Sequence, residues 1–403
     1  MRKNYALRAL LLVMLLTLFL LAGSAHAADV TVGCPGGSGG MYPSINAALA
    51  AIGQTGPSSI TVTGTCNEYV ALTNARSIAL LGGAGGAKIA ELQDFDGIDI
   101  TLSQDITLAD LEIVGTPGSV AGSGGIGVNV YDASEVHIVR CNIHGNEGGG
   151  VVADTGSLLF LNHTTIQNNT PNDGLDVLNS SSADVFGSTI QNNGFAVTGG
   201  IGIFVGDRSS VVLRQTNFIQ NNGDIGILAQ TLSNIRVQSG VAGRFTTVSG
   251  HGVYGIAVVR DSALNLNGVS AQVVTGNGSA CPLDPTCGGI YAARNSTVSM
   301  GNANITGNQG SGINVDQGSN LLLTNAMVSN NSGDGVHVEE MAIGNIVSGN
   351  TITGNGGASV FCDARSLVVG NLSGFSKVRC EQGEGSGKTE RGEHDRKGKE
   401  RVD

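Results

Sequence analysis

Residues 143–146 read Ile143-His144-Gly145-Asn146, and this four-residue pattern returns eight more times. It is IQNN at 166–169, 190–193 and 219–222, and VSGH at 248–251. It is VTGN at 274–277, ITGN at 305–308, VSNN at 328–331 and ITGN at 352–355. The last column is Asn146, Asn169, Asn193, Asn222, His251, Asn277, Asn308, Asn331 and Asn355, at intervals of 23, 24, 29, 29, 26, 31, 23 and 24. The residue before it is always Gly or Asn, the two types that most readily adopt a left-handed backbone, so the column marks a tight turn. Three positions before it stands Ile or Val in every copy, which must point inward.

Each turn leads into alternating Gly and aliphatic residues, as in Gly199 to Val205 and Gly310 to Val315. A polar corner follows, such as Asp154-Thr155-Gly156-Ser157, and then another short strand. Alternation of period two means half-buried strands. A repeat of short strands and tight turns, 23–31 residues long, predicts one coil of a parallel β-helix. Successive coils stack at about 4.8 Å. Stacked Asn side chains then bond along the ladder, and the aliphatic columns fuse into one continuous core.

Composition agrees. The chain has 403 residues, 63 Gly, no Trp, 4% aromatic and 13% charged residues, yet 40% are hydrophobic. That hydrophobic share argues against disorder. Seven Pro are too few for collagen. So much Gly would not sustain long helices. Residues 28–380 carry 25 acidic and 12 basic residues. Such a body excludes a nucleic-acid partner, which needs a basic stripe. It also disfavours polyanionic glycans unless a cation bridges them.

Residues 1–27 read as a signal peptide. Arg2, Lys3 and Arg8 precede an apolar run at 10–21, and Ala25-His26-Ala27 is a cleavage site. Ser24 stands where a lipoprotein box has Cys, so no lipid anchor is expected. No membrane span follows, and the mature chain is expected to be a secreted or periplasmic monomer. Residues 28–58 form an N-terminal cap with a helix, 59–380 the β-helix with its C-terminal cap, and 381–403 a charged, disordered tail. Seven Cys in an exported chain predict disulfides with one left over. Cys281 and Cys287 flank a Pro-rich loop and form a local bridge. Cys34 with Cys66, and Cys362 with Cys380, staple the two ends. Cys141 is the odd one, in a column of small packing residues.

The ladder, its period and the strand pattern resemble the right-handed parallel β-helix of the pectin-lyase-like superfamily. Within it they are similar to the bacterial β-helix repeat proteins and the NosD-like periplasmic group. Residues 42–52, with Ile45, Ala48, Leu49 and Ile52 on one face, resemble the capping helix of such proteins. ITVTGTCNEYV at 60–70 and SIALLG at 77–82 resemble their first coils. The resemblance implies an all-β solenoid. It also implies that a polysaccharide or cell-surface glycan binds the strand face just after the Asn turn, where lyases and hydrolases of the family act. The NosD-like likeness implies copper handling, but His and Met form no dense metal tract. A non-catalytic adhesive or structural β-helix is the other reading, because no catalytic signature of pectate lyases, pectinesterases or alginate epimerases stands in the sequence.

Loops at 116–124, 170–173, 194–200 and 279–288 fall just after the turn and wall that face. Its outward column is Asn129, Val152, Asp176, Phe204, Leu228, Ala257, Tyr291, Asn314 and His337. Phe204 and Tyr291 are its aromatics, and with Asn314 they are the candidate substrate contacts. Asp316, His337 and Glu339 form a candidate catalytic cluster, since a His beside carboxylates can act as a base or hold a cation. Asp154 with Asp176 forms a candidate carboxylate pair for glycoside hydrolysis. The plainer reading puts Asp154, Asp316 and Glu339 in a polar corner column, with His337 merely solvated. Asp94, Asp96 and Asp99 form a candidate calcium site, though without the length or terminal Glu of an EF-hand loop. Ser249-Gly250-His251-Gly252 matches a polygalacturonase motif, but His251 is more simply a ladder substitution.

Overall fold

The computed structural model describes residues 28–90, 95–115, 125–194, 199–281 and 286–381. The signal-peptide and tail expectations lie outside them, as do Asp94, the loop at 116–124 and parts of the loops at 194–200 and 279–288. The described chain forms two parallel sheets, of 22 and 13 strands. Each coil contributes one strand to the short sheet and, in most coils, two to the long one. The section is therefore triangular: short-sheet strand, corner, long-sheet strand, second corner, long-sheet strand, Asn turn.

The Asn turn forms for the reason the sequence implied. All nine residues before the ladder position have left-handed backbone, from φ 51° at Asn221 to φ 75° at Gly250. The ladder side chains are buried, apart from the half-buried Asn355, and bond coil to coil. Asn193 Oδ1 accepts from the backbone N–H of Asn169 at 3.1 Å and from Asn169 Nδ2 at 2.9 Å. Asn193 Nδ2 donates to the Ile166 carbonyl at 3.2 Å and to Asn222 Oδ1 at 3.0 Å. The ladder also explains the excess glycine. A Cβ on Gly174 would lie 2.6 Å from Asn193 Nδ2, so the strand residue beneath each ladder side chain has room only for hydrogen.

The other two corners carry ladders that sequence reading did not find. Ser134, Ser157, Ser181, Ser209, Ser233, Ser262, Ser296 and Ser319 are buried, and each hydroxyl accepts from the backbone N–H of the preceding coil's Ser at 3.0–3.3 Å. The column holding Cys141 is a third ladder, not only a packing site. Thr164 Oγ1 accepts from Cys141 N, Ser188 Oγ from Thr164 N and Asn217 Oδ1 from Ser188 N. Hydroxyl and carboxamide groups serve there because each satisfies a turn N–H that would otherwise be buried alone.

Inside, Ile and Val fill the core as columns. Ile143, Ile166, Ile190 and Ile219 are all fully buried and paired in register. At the N-terminal end, the helix α1, Ile45–Ile52, starts on Ser44, whose hydroxyl accepts from Ala47 N. It buries Ile45, Ala48 and Leu49 against the first coil. The Cys34–Cys66 bridge ties the first strand, Ala28–Gly33, to the strand beside it, Thr55–Asn67. Cys281–Cys287 closes a loop, and Cys362–Cys380 links the last two strands of the short sheet. Cys141 is free and buried, and burial pushes its thiol up to about 11, which makes it unreactive.

His251 occupies its ladder place fully buried. Its Nδ1 accepts from Asn222 N at 3.2 Å and its Nε2 lies 3.0 Å from the Ile219 carbonyl. Burial pushes its pKa down to about 4. The unfolded chain therefore takes up a proton first, and stability falls as pH drops from about 6.5 through 4. We expect His251→Asn to remove about 2 kcal/mol of that acid destabilisation. Urea unfolding of both proteins at pH 7 and 4.5 tests this; equal losses on acidification would rule it out.

Candidate functional site

The short sheet presents one outward residue per coil. Strand register joins Ala71, Asp99, Asn129, Val152, Asp176, Phe204, Leu228, Ala257, Tyr291, Asn314, His337, Phe361 and Arg379 into a single file. The file divides by chemistry. Its middle, with Val152, Phe204, Leu228 and Ala257, is apolar around Asp176. Its C-terminal third is aromatic and polar.

In that third, the Tyr254 and Tyr291 rings stack at 4.9 Å and 9°. The Tyr291 hydroxyl donates to Asp316 Oδ2 at 3.1 Å. One strand on, Asn314 is 1% exposed, and neither its Oδ1 nor its Nδ2 has a partner. Asp316 Oδ1 is likewise buried and unpartnered. Buried polar atoms are nearly always paired in folded proteins, so three unpartnered ones in one place set this region apart from an ordinary packed strand. His337 follows, stacked on Phe361 at 4.4 Å. Its Nδ1 lies 2.7 Å from Asp334 Oδ2 and its Nε2 3.3 Å from Glu339 Oε2. Arg379 lies over the other end of this strip, 5.7 Å from the Phe361 ring centre.

The electrostatics are unequal. Burial pushes Asp316 up to about 6, helped by the charges of Glu339 and Glu340. Burial opposes charge on His337, but Asp334 and Glu339 together outweigh it and raise its pKa. Both ring nitrogens are thus engaged by carboxylates, which shifts the ring's balance toward the imidazolium. It positions and donates; it is not a free base. Asp316 is the group that can hold and release a proton near neutrality.

The structure brings Asp316, His337 and Glu339 to one region with Tyr291 and Asn314. It separates Asp154 from Asp176. Asp154 turns back on its own corner, accepting from Thr155 N and from Asn179 Nδ2. Asp176 meets Asp173 instead, three residues upstream, whose Oδ1 accepts from Ile201 N at 2.7 Å. Phe204 lies in the apolar middle, three strands or roughly 14 Å from Tyr291.

At the N-terminal end, Asp96 Oδ1 accepts from Ile126 N and its Oδ2 from Asn129 Nδ2. Asp99 Oδ2 accepts from the Tyr69 hydroxyl at 2.7 Å. Burial first, then neighbouring Asp96, pushes Asp99 up to about 6. Three of the pair's four oxygens accept from protein donors, and Asp99 Oδ1 is buried without a partner. Among the described residues one tight group of His, Cys and acidic ligands occurs, Cys34, Cys66 and Glu68, and its sulfurs are in a disulfide.

Asp173, Asp334, Tyr254 and Phe361 are site residues that sequence reading passed over. A signal existed. Asp96-Gly97, Asp173-Gly174 and Asp334-Gly335 each stand three residues before an outward ionisable side chain. In all three, one carboxylate oxygen caps an N–H of the next coil, of Ile126, Ile201 or Ala358. The other carboxylate oxygen of Asp334 lies 2.7 Å from His337 Nδ1, while that of Asp96 accepts from Asn129 Nδ2.

No helix among the described residues is long and apolar enough to cross a membrane. No curated protein sequence matches the chain. Among solved structures, the Azotobacter vinelandii mannuronan C-5 epimerase AlgE4 A-module superposes with a TM-score of 0.52 at 15% identity, covering 84% of this chain and 90% of that one. The AlgE6 A-module of the same organism gives 0.51 at 16%, covering 84% and 92%. These likenesses concern the fold. The sequence profile described as "Right handed beta helix region" matches residues 96–271 and 219–372, more than half of the chain. The chain therefore belongs to the right-handed β-helix family, with the pectin-lyase-like fold that its Asn ladder resembles.

Proposed function

We propose that this chain is an exported polysaccharide-binding β-helix. Its glycan lies along the C-terminal third of the short sheet's outer face. One observation carries the reading: the unpartnered Asn314 and Asp316 atoms sit between the Tyr254–Tyr291 stack and the His337–Phe361 stack. Aromatic faces pack on sugar rings, and carboxamides and carboxyls exchange hydrogen bonds with hydroxyls. Asp316, protonated up to about pH 6, is the proton donor should a glycosidic bond be cleaved there. The epimerase modules that share this fold act on a polysaccharide, which supports the ligand class, and the three disulfides fit an oxidising compartment.

The test is binding and product release with neutral and acidic polysaccharides, each with and without calcium. Tyr291→Ala and Asn314→Ala should each weaken binding by at least about tenfold, one partner-starved polar group or stacked ring being worth on the order of 1–2 kcal/mol. A chain that retains no polysaccharide under any condition would sink the proposal. Binding that survives both substitutions would move the site elsewhere. Binding without any cleaved product would assign the face to adhesion, the second reading, for which the doubly engaged His337 speaks.

A further inference from the structure

A second concavity lies on another face, outside the strip described above. The corner joining Asn234–Gln238 to Thr247–Ser249 is long, residues 239–246, where the preceding coil uses 215–217. In the next coil the long-sheet pairing slips between Asn267 and Gln272. These two irregularities raise walls around the outward positions of the long sheet. The hollow has a volume of about 480 Å³ and is lined by Arg236, Gln238, Asn265, Asn267 and Asn302, with Val269 on its rim. That lies within the roughly 300–1,000 Å³ of small-ligand sites.

Its chemistry is specific. Arg236 and Asn265 are cross-strand partners, and Gln238 and Asn267 stand two residues further along the same strands. Neighbours in this array are thus roughly 5–7 Å apart. Among the described residues no carboxylate pairs with the Arg236 guanidinium, although the body is strongly acidic and Arg140 and Arg214 each have an aspartate. Gln238 Oε1 is buried without a partner. Asn267 Nδ2 donates to Asn265 Oδ1, and among the described residues Asn267 Oδ1 and Asn265 Nδ2 have no hydrogen-bond partner.

We propose that this hollow binds an acidic sugar unit. Its carboxylate would take the guanidinium fork of Arg236, and its ring hydroxyls the carboxamides of Gln238, Asn265 and Asn267. A single guanidinium balances the single charge of a carboxylate, and its planar fork matches that group's two oxygens. Carboxamides both donate and accept, as sugar hydroxyls require. The site is separate from the short-sheet face and does not depend on that face binding glycan.

The test titrates the full chain, in EDTA, with trigalacturonate and with its carboxyl-reduced counterpart, a neutral galactose trimer. Hydrogen exchange locates the protected segments. Trigalacturonate should protect 236–240 and 265–269, and the neutral trimer should not. Arg236→Gln should lower the affinity at least about tenfold, and Arg236→Lys less, because it keeps the charge and loses the fork. Arg236 is exposed, so the melting temperatures of both variants should match the parent's. Tyr291→Ala should leave protection over 236–240 unchanged, which separates failure of this proposal from failure of the short-sheet reading. No binding of trigalacturonate at millimolar concentration, equal binding of the neutral trimer, or undiminished binding by Arg236→Gln would each overturn it.

Discussion

Asn193→Ala will lower the free energy of unfolding by about 3–5 kcal/mol. The size follows from what the side chain serves. Asn193 Oδ1 accepts two hydrogen bonds from Asn169, and Asn193 Nδ2 donates to Ile166 O. Removing it orphans a backbone N–H and a carbonyl in a buried turn, and leaves Asn169 Nδ2 with only a 3.4 Å bond to the Ile143 carbonyl. Each buried polar group left unpaired costs about 1–3 kcal/mol. Asn146→Ala is the matched control. Asn146 opens the ladder, and its Oδ1 accepts from nothing among the described residues. Its truncation removes the bond that Nδ2 gives to Asn169 Oδ1 and leaves that oxygen with the Asn146 N–H. That loss should stay near 1 kcal/mol. Chemical denaturation of both variants decides the matter. Equal losses at the two positions would mean that the ladder contributes through shape rather than through its chain of bonds.

This contrast shows why so much of the architecture was legible. Parallel strands in register force side chains of one column to stack, so a residue needed once is needed in every coil. The Asn column, the Ile column before it and the outward file from Asn129 to His337 could therefore be read from spacing. The Ser column was just as regular but was hidden by its surroundings, because Ser is common in surface turns and its burial cannot be seen without the corner's geometry. Asp176 marks another limit. Spacing placed it one strand from Val152, but its rotamer chose Asp173 over Asp154, and rotamers leave no trace in a period. Phe361 was missed because the C-terminal cap was drawn at that residue. The structure instead adds Val360–Cys362 and Val378–Cys380 to the short sheet and extends the outward file past His337. The hollow at Arg236 was least legible, since it is made by a departure from the repeat.

Asp176→Asn will stabilise the chain at pH 8 and leave it nearly unchanged at pH 4.5. Asp176 faces out between Val152 and Phe204, and part of the residue meets solvent, but its Oδ1 is shut off and without a partner. Burial, and then the neighbouring charge of Asp173, raises its pKa well above the usual carboxylate range. Asp173 is itself pushed up to about 6 by burial, while its bond from Ile201 N favours its charged form. Asp173 is therefore the member that carries charge, and Asp176 the one that keeps the shared proton. The folded pair binds protons more tightly than the unfolded chain, whose aspartates release theirs near pH 4. Its stabilisation is complete below that pH and is lost progressively as pH rises above it. Asn in place of Asp176 keeps the donor toward Asp173 and has no proton to lose, so the variant's stability should stay flat where the parent's falls. The same sign applies to Asp99 and Asp316, and His251 acts in the opposite sense, so only the difference between parent and variant isolates this pair. Urea midpoints measured from pH 4.5 to 8 supply that difference. Parallel pH profiles for the two proteins would show that the Asp173–Asp176 pair holds no proton and that both carboxylates are already charged in the folded chain.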